Sequence, residues 1–400
     1  MTIAICAAGL FCLAAVALHL LTIMLTIRRC RPTVRVMTAP PDAPPVTLLR
    51  PVCGIENYIE ETLRSGFTLD YPRYEMLFCV ARADDPIVPL VQRLIAQHPQ
   101  IPARLLVGDD AISDNPKLNN VLKGWRNAAH GWIVIADSNV LMPRDYVQRL
   151  LAAWRPDTGL VCSPPIGSRP DGRWAELECA FLNAYQARFQ YGADTIGFGF
   201  AQGKTMLWHR AVLDRAGGAA ALAAELAEDA AATKIVRSAG LRVRLVDAPF
   251  DQPLGRRDAG EVWRRQVRWS RLRRASFKSY YTAEIMTGGM LPLVAAGFVA
   301  SALGAPVTGI LVALAALWYG GETLLAVAAG WHVTWRSPLV FALRDALMPV
   351  LWVYGWTGNG YVWRGNHIQT ATPSRYGEYR IVRSFTRMTS ALVRKAADNP

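Results

Sequence analysis

The sequence of 400 residues predicts a membrane-anchored α/β protein built on a mostly parallel sheet. Three observations carry this prediction. Short apolar segments alternate with helical segments between residues 45 and 260; a charge-free run at residues 3–27 exceeds the roughly 20 helical residues that cross a bilayer core; and two further apolar runs follow residue 284. With 52% hydrophobic and 19% charged residues, the chain is too apolar for a wholly soluble protein.

The first apolar run predicts an N-terminal transmembrane helix over residues 1–28. Basic residues follow it at once, at Arg28, Arg29, Arg31 and Arg35. A cleaved signal peptide has a shorter apolar core and a small-residue cleavage site, which this run lacks. By the positive-inside rule, residues 29–283 are expected to face the cytoplasm, as on a bacterial inner membrane.

Alternating strands and helices define the segment of residues 45–260. Strands are predicted at residues 46–52, 74–81, 103–108 and 131–137, and helices at 57–67, 86–99 and 116–130. Nearly continuous apolar strands joined by helices are typical of a sheet covered on both faces, which binds ligands beyond the carboxyl ends of its strands. Acids follow two of these ends, with Asp84 and Asp85 after the second strand and Asp137 after the fourth.

Two further charged features follow along the chain, an acidic pair and then a basic motif. Residues 221–240, ALAAELAEDAAATKIVRSAG, predict a helix with the adjacent acids Glu228 and Asp229. Acids near a helix start complement the helix macrodipole, so alone they indicate only a capped helix. The segment RRQVRW then gives the pattern Arg-x-x-Arg-Trp at Arg265, Arg268 and Trp269. The order of all these features favours a catalytic interpretation of the acids.

Other protein classes are disfavoured by missing motifs. No G-x-G-x-x-G follows the first strand and no P-loop motif occurs, so a dinucleotide oxidoreductase or a P-loop NTPase has little support. The segment GFGFAQGKT, residues 197–205, has three residues between Gly199 and Gly203 where a P-loop has four. The seven cysteines and six histidines show no metal-ligand spacing. An anionic leaflet explains the net charge of +13 without nucleic acid.

In this order, the motifs resemble those of the family-2-like, inverting glycosyltransferases with the GT-A fold, whose pattern is D, D, D, (Q/R)xxRW. More narrowly, the chain is similar to the ceramide glucosyltransferase family, glycosyltransferase family 21, in LLRPVCGIE, NPKLNN, ADSNV, LAEDAAATKIVRSAG and RRQVRWSRLRR. The resemblance covers about residues 45–280 and extends to the membrane segments. It implies a GT-A domain with a Rossmann-like mixed sheet over residues 45–260.

The resemblance also implies roles for individual residues. Asp229 is expected to be the catalytic base, supported or oriented by Glu228, because inversion needs one group to take the acceptor proton. Asp137 is expected to hold a divalent cation, Mg²⁺ or Mn²⁺, which stabilises the leaving diphosphate. The nucleotide-sugar site is expected to comprise Asp84, Asp85, Lys117, Arg265, Arg268 and Trp269.

Within that nucleotide-sugar site, Asp85 would contact the uracil or ribose, the basic residues would meet the diphosphate, and Trp269 would line the acceptor mouth. Lys117 fits a solvated helix residue equally well. The basic segment at 261–283 also fits an amphipathic helix lying on lipid. Diphosphate binding and contact with lipid are compatible in that segment, because a lipid acceptor requires a site at the membrane interface.

Two positions depart from the family pattern. The usual D-x-D is Asp137-Ser138-Asn139, so the second carboxylate is absent and metal binding is expected to be weaker or water-mediated. Gln186 stands where the animal enzymes have a histidine, so the acceptor pocket is not expected to match theirs closely.

The C-terminal third predicts two transmembrane helices over residues 285–328, joined by a Gly-Ala-Pro turn. Glu322, near the middle of the second helix, is expected to face another helix. The next apolar stretch, residues 339–356, contains Arg344 and Asp345. It is predicted to be re-entrant or interfacial, because a crossing would place the basic tail, residues 370–400, outside. The topology is then three spans.

The expected function is transfer of glucose from UDP-glucose to the primary hydroxyl of ceramide or a ceramide-like lipid. A hopanoid glycosyltransferase that uses UDP-N-acetylglucosamine keeps the chemistry and changes the substrates, and the sequence separates the two poorly. A processive polysaccharide synthase uses the same motifs but normally needs more membrane helices. A non-enzymatic, basic, membrane-anchored binding protein explains the charge but none of the acids.

Overall fold

The computed structural model describes residues 2–32, 36–363 and 366–369, and the predicted basic tail at 370–400 lies outside the described residues. The helices are α1 (Thr2–Cys30), α2 (Ile59–Ser65), α3 (Val88–Gln97), α4 (Pro116–Asn127), α5 (Tyr146–Ala152), α6 (Arg173–Ala180), α7 (Arg188–Thr195), α8 (Arg210–Arg215), α9 (Glu228–Ser238), α10 (Ala259–Ser276), α11 (Lys278–Glu284), α12 (Met290–Ala302), α13 (Val307–Ala328) and α14 (Ser337–Trp356). The strands are β1 (Val46–Pro51), β2 (Tyr74–Val80), β3 (Ala103–Val107), β4 (Trp132–Ala136), β5 (Thr158–Cys162), β6 (Ile166–Asp171), β7 (Thr205–His209), β8 (Arg242–Leu245), β9 (Asp251–Arg256), β10 (Gly360–Trp363) and β11 (Asn366–Gln369). A π-helical segment, Phe181–Ala187, joins α6 to α7.

The central sheet has seven strands in the order β3-β2-β1-β4-β7-β5-β8. The first four strands along the chain pair in parallel, as the sequence predicts. By contrast, β7 is antiparallel to both β4 and β5. The sheet is therefore mixed, which confirms the GT-A class of α/β architecture implied by the sequence motifs.

Both faces of this sheet are covered, because successive residues of β1 belong to different cores. Leu49 belongs to the core that includes Leu118 and Trp125 of α4. Leu48 belongs to the core that includes Val91 of α3. A strand buried on both faces needs apolar residues at successive positions, which explains why continuous apolar runs located the strands correctly.

A two-stranded ribbon of β6 and β9 leads to α10, which carries the Arg-x-x-Arg-Trp segment. The Asp258 side chain accepts a hydrogen bond from the Glu261 main-chain N–H, and the Glu261 side chain accepts one from that of Asp258. This capping box fixes the start of α10. The basic segment predicted over residues 261–283 thus consists of two helices, α10 and α11, which meet at Phe277.

Three helices in the described part of the chain are long and apolar enough to cross a membrane, namely α1, α13 and α14. The first span predicted after residue 284 has a different form. α12 has only 13 residues, which is roughly 20 Å of helix. It follows the helical residues 278–287 with a bend of 51°, and only the two parts together reach the length of a span. The pair predicted over residues 285–328 is therefore one full-length helix and part of a bent one.

The helix α14 is continuous over the stretch predicted to be re-entrant or interfacial. Its two charges are paired inside the protein. Arg344 lies 2.7 Å from Asp345 and 2.9 Å from Glu322 of α13, and all three side chains are fully buried. Glu322 thus faces another helix, as expected, and the charges of α14 give no argument against a crossing.

The same helix also packs against the α/β unit at both of its ends. At its start, Arg336 lies 3.1 Å from Glu176 of α6. Toward its end, the Ser270 hydroxyl of α10 donates to the Leu351 carbonyl at 3.1 Å. These contacts favour an interfacial position, whereas the length of α14 fits a crossing, so the three-span topology stays a prediction.

Candidate active site

The candidate site lies at the carboxyl-end edge of β1, β2 and β4, where the sequence predicts it. Asp137 is the first residue after β4, and its main-chain N–H donates to the Lys204 carbonyl at 3.0 Å. Lys204 directly precedes β7, so the antiparallel pairing of β4 with β7 brings these two residues together. The segment before β7, including Gly203, thereby forms one wall of the site.

Both carboxylate oxygens of Asp137 are in ion pairs. Oδ1 lies 2.7 Å from the Lys117 Nζ, and Oδ2 lies 2.9 Å from the Lys204 Nζ. The Lys204 Nζ also donates to the Asn139 Oδ1 at 3.1 Å. Burial raises the pKa of Asp137, but the two ammonium groups outweigh burial and hold this pKa well below its usual range. Asp137 is therefore an anion throughout the physiological pH range.

The motif NPKLNN positions its side chains through the start of α4. Asn115 is the N-cap, whose Oδ1 accepts from the Leu118 N–H at 3.1 Å, and Pro116 occupies the first turn. The Asn115 Nδ2 donates to the Glu228 Oε2 at 2.8 Å. The Lys117 Nζ lies 2.5 Å from the Glu228 Oε1. The motif thus holds both oxygens of Glu228.

Lys117 is enclosed by acceptors rather than solvated. Besides Asp137 and Glu228, its ammonium group donates to the Gly203 carbonyl at 2.5 Å, and only 12% of the side chain is exposed. Burial lowers the pKa of Lys117, but the two carboxylates raise it above its ordinary value. Lys117 therefore ties the acid after β4 to the acids of α9.

Asp229 lies next to Glu228 in the first turn of α9. Its Oδ2 accepts from the Gly203 N–H at 3.1 Å and its Oδ1 from the Ala230 N–H at 2.8 Å. Burial and the charge of Glu228 raise the pKa of Asp229 to about 6, against the opposing effect of Lys117. A carboxylate with this pKa is a stronger base than an ordinary Asp and is still mostly ionised at pH 7.

Arg50 supports the loop that follows β4. It is fully buried at the end of β1, and its Nη2 donates to the carbonyls of Asp137 at 3.0 Å, Ser138 at 3.1 Å and Val140 at 3.2 Å. Burial lowers the pKa of Arg50 to about 10, so the guanidinium remains charged. The arginine of LLRPVCGIE thus fixes the main chain that carries Asp137.

The two acids after β2 have different surroundings. The Asp85 Oδ1 accepts from the Gly54 N–H, in the loop after β1, at 2.9 Å, and from a main-chain N–H two residues further on. Asp84 is exposed and accepts from the Arg82 Nε at 2.8 Å. Asp85 is therefore tied to the loop after β1, at the edge where Asp137 lies, whereas Asp84 points to the surface.

Arg265, Arg268 and Trp269 share one face of α10. The Arg265 Nε lies 2.9 Å from the Oε1 of Glu178, a fully buried carboxylate of α6. The Cζ atoms of Arg265 and Arg268 lie 5.2 Å and 6.0 Å from the centre of the Trp269 ring. Trp269 itself packs against a small apolar cluster of α6, β9 and the π-helical segment.

The α10 segment acts electrostatically on the cluster around Asp137. Burial lowers the pKa of Lys204, Asp137 opposes this effect, and the positive charge of Arg265 adds to it. Arg265 therefore lies within electrostatic range of Lys204. Of the residues predicted to form the site, the structure brings together Lys117, Asp137, Glu228 and Asp229. Asp85 lies at the same edge of the sheet, Arg268 and Trp269 lie beside Arg265 on α10, and Asp84 is exposed at the surface.

The side chains around Asp137 do not form a complete site for a divalent cation. In the ranges that the structure describes, no three His, Cys, Asp or Glu side chains are grouped as metal ligands. Both oxygens of Asp137 contact ammonium groups, and the Asn139 oxygen accepts from Lys204. A cation that prefers oxygen ligands would have to displace both lysines from Asp137. The divalent cation stays a prediction from the sequence.

Lys204, Asn115 and Glu178 are among the residues of the site that were not predicted from the sequence. Lys204 lies in GFGFAQGKT, a segment whose spacing excludes a P-loop. A lysine directly beside a strand is nevertheless a signal for an anion-binding residue. Asn115 lies inside NPKLNN, where its capping role is predictable but its bond to α9 is not. The signal for Glu178 is an acid on the otherwise apolar face of WAELECAFL.

Comparison with known proteins identifies the chain at the level of the family. The model of the family described as Glycosyl transferase family 21 matches residues 9–375, which is most of the chain. The chain belongs to this family. The family 21 match extends from α1 through the α/β unit to the apolar helices, so it covers the candidate site and the membrane segments together. The resemblance that the sequence motifs carry is thereby confirmed.

Family 21 relatives align with part of the chain. Ceramide glucosyltransferase 3 of Caenorhabditis elegans is 27% identical over 232 residues, which are 58% of this chain and 50% of that protein. Ceramide glucosyltransferase of Komagataella phaffii is 38% identical over 110 residues, which are 26% of this chain and 22% of that protein. The chain spans about half the length of the first of these curated relatives, and less of the second.

Two solved structures similar to this family 21 protein cover most of its length at low identity. Mannosyltransferase PcManGT from Pyrobaculum calidifontis, in complex with GDP-Man and Mn²⁺, has a TM-score of 0.49 and 20% identity and covers 85% of this chain and 99% of its own. S. aureus TarS 1-349 has a TM-score of 0.38 and 13% identity and covers 84% of this chain and 97% of its own.

Proposed function

We propose that this family 21 protein is a membrane-bound, inverting glycosyltransferase that moves glucose from UDP-glucose to the primary hydroxyl of a ceramide-like lipid. Family membership supports glycosyl transfer, and the names of the relatives support the donor sugar and the acceptor. One observation carries the proposal: Asp229 is a partly buried carboxylate whose pKa is raised to about 6 at the carboxyl edge of the sheet.

In the proposed step, the Asp229 carboxylate takes the proton of the acceptor hydroxyl. The hydroxyl oxygen attacks the anomeric carbon of the sugar from the face opposite the diphosphate. One carbon–oxygen bond forms while the bond from the anomeric carbon to the phosphate oxygen breaks, and UDP leaves with that electron pair. One base and one displacement therefore suffice for inversion.

Glu228 is a positioning residue in this scheme. Its Oε2 accepts from the Asn115 amide at 2.8 Å, and its Oε1 contacts the Lys117 ammonium at 2.5 Å. Glu228 is thus buried and held by a cation and an amide, whereas Asp229 is partly exposed and can be reached by the acceptor hydroxyl. The negative charge of Glu228 acts instead on its neighbour, where it raises the pKa of Asp229 and makes that carboxylate a stronger base.

The remaining predicted site residues are proposed to hold the donor. Negative charge grows on the diphosphate as UDP leaves, and Arg265 and Arg268 are proposed to stabilise it. Arg265 is oriented by the buried Glu178, at 2.9 Å. Trp269, beside both arginines, is proposed to stack on the substrate. Asp85, fixed by main-chain donors, is proposed to contact the uracil or ribose.

The α/β unit is proposed to face the cytoplasm, next to the membrane surface. Three arginines at the end of α1 give the positive-inside signal, namely Arg28, Arg29 and Arg31. Arg29 also ties α1 to the α/β unit, at 2.5 Å from Asp194 and 2.7 Å from Asp247. An α/β unit tied to the end of a membrane helix suits an acceptor whose hydroxyl lies at the lipid headgroups.

The test is to identify the product lipid. The whole chain, purified in detergent, is incubated with labelled UDP-glucose or UDP-N-acetylglucosamine and with ceramide, diacylglycerol or a hopanoid polyol, and the products are analysed by mass spectrometry and proton NMR. We expect β-glucosylceramide from UDP-glucose and ceramide. A hopanoid product that carries N-acetylglucosamine would change the substrates and keep the chemistry. No glycolipid from any pair, with protein that unfolds cooperatively, would refute the proposal.

A further inference from the structure

The family motifs do not explain the position of the Lys204 ammonium group in the cluster around Asp137. Asn139 stands where the D-x-D motif has its second carboxylate, and the Asn139 amide oxygen accepts a hydrogen bond from the Lys204 ammonium group at 3.1 Å. The same ammonium group lies 2.9 Å from the Asp137 Oδ2. A lysine therefore occupies the space between these two side chains, where a cation-binding pattern would place its metal.

We infer that Lys204 supplies the positive charge that meets the diphosphate of the donor, so that nucleotide binding does not require a divalent cation at Asp137. This inference rests on the proposed function, since it assumes that a nucleoside diphosphate binds at this edge of the sheet. It assigns Asp137 a different task from metal binding, namely holding and orienting the Lys204 ammonium group.

The two lysines of the cluster differ in how many donors they have left. An ammonium group has three N–H donors. Lys117 uses all three, on Asp137 at 2.7 Å, Glu228 at 2.5 Å and the Gly203 carbonyl at 2.5 Å. Within the described residues, Lys204 has two acceptors, Asp137 and Asn139. Its third donor is left for a ligand, so Lys204 rather than Lys117 is the lysine that contacts phosphate oxygens.

The contacts around Lys204 favour a ligand that accepts hydrogen bonds over a second cation. Asp137 carries one negative charge and is already shared by two ammonium groups. The Arg265 guanidinium is close enough to lower the pKa of Lys204. A divalent cation on Asp137 would therefore have to displace or lie beside both ammonium groups, whereas a diphosphate could accept from the remaining donor of Lys204 with Arg265 nearby.

The test measures UDP binding to the whole chain in detergent by isothermal titration calorimetry, with EDTA and with Mn²⁺. The dissociation constant in EDTA is expected to lie within about threefold of that in Mn²⁺. Lys204→Met is expected to weaken binding in EDTA at least tenfold. The matched control is Lys234→Met on α9, because Lys234 pairs with Glu225 at the surface and its loss should leave UDP binding unchanged.

A double variant tests the same inference in the opposite direction, because its UDP binding should become dependent on Mn²⁺. Combining Asn139→Asp with Lys204→Met restores the second carboxylate and removes the ammonium group between the two. UDP binding to this double variant is expected to tighten at least tenfold when Mn²⁺ replaces EDTA. A tightening of that size in the unaltered chain would overturn the inference.

Two further results are told apart by the same titrations. Lys204→Met that binds UDP in EDTA as tightly as the unaltered chain would overturn the inference and leave the proposed function intact. If the unaltered, folded chain bound no UDP with EDTA or with Mn²⁺, the proposed function would fail first, and the inference would fail with it.

Discussion

A methyl group at Gly203 is expected to separate the charged groups on which the site depends. A Cβ atom added there would lie 2.8 Å from the Glu228 Oε1 and 3.1 Å from the Lys117 Nζ, where ordinary contacts begin at 3.4 Å. The Glu228 oxygen must therefore move by about 0.6 Å, and Lys117 by less. Displacements approaching 1 Å in an active site cost up to about 10²-fold in rate, so Gly203→Ala should lower kcat about 10- to 100-fold.

The assay for Gly203→Ala is sugar transfer at saturating donor, together with thermal unfolding of the purified chain. Gly131→Ala is the matched control, because a Cβ there has its nearest neighbour, the His209 Nε2, at 3.9 Å. Gly131 precedes β4 at the end of the strand far from the site, so its variant should keep full activity. A Gly203→Ala variant with more than half of the original kcat would refute the close packing described for this cluster.

The remaining predictions concern the base and the donor site. Because the pKa of Asp229 is raised to about 6, kcat/KM should fall tenfold for each pH unit below pH 6 and become constant above pH 7. Glu228→Gln removes the charge that raises this pKa, so the fall in kcat/KM should begin at a lower pH. A kcat/KM that stays constant from pH 5 to 8 would exclude Asp229 as the base. Glu178→Gln should raise KM for the UDP-sugar about tenfold because Arg265 loses its buried partner. Glu176→Gln, on the same helix, removes only a partly exposed pair and should leave KM unchanged; equal KM values in the two variants would contradict the role of Glu178.

The first half of the sheet could be predicted because its signals are local. The first four strands are continuous apolar runs that end within one residue or so of the prediction. The antiparallel β7 was not predicted, because TMLWH has no feature that specifies its neighbour. Its position between β4 and β5 depends on long-range pairing. Such pairing is set by the whole sheet rather than by the strand's own residues.

The site could be predicted in outline but not in its contacts. Asp137 and Asp229 follow from motif order, whereas the ion pair between Asp137 and Lys204 follows from the insertion of β7 beside β4. Asp84 and Asp85 are adjacent in sequence, and only the geometry of the turn decides which of them faces the loop after β1.

The membrane segments illustrate the same limit. An apolar run at 285–303 predicts a straight span, but the helix breaks between residues 287 and 290. The Gly289 N–H at this break donates to the Asp345 Oδ2 at 2.7 Å, a contact across 56 positions of sequence. Likewise, Arg344 and Asp345 stand in an apolar run of the sequence, and only the fold shows that Arg344 pairs with Asp345 and with Glu322 of α13.

The most direct measurement compares Asp229→Asn with the unaltered chain for both transfer and UDP binding. Asparagine keeps an oxygen for the Gly203 N–H but cannot take a proton, so transfer should fall more than about 10³-fold while the UDP dissociation constant stays within about threefold. The pKa of Asp229 is higher in the folded chain than in the unfolded chain, so the free energy of unfolding of the unaltered chain falls as pH rises from about 4 to 6. Asp229→Asn carries no charge at this position, so at pH 8 it should be more stable than the unaltered chain by about 1–3 kcal/mol. Undiminished transfer by Asp229→Asn would contradict the account.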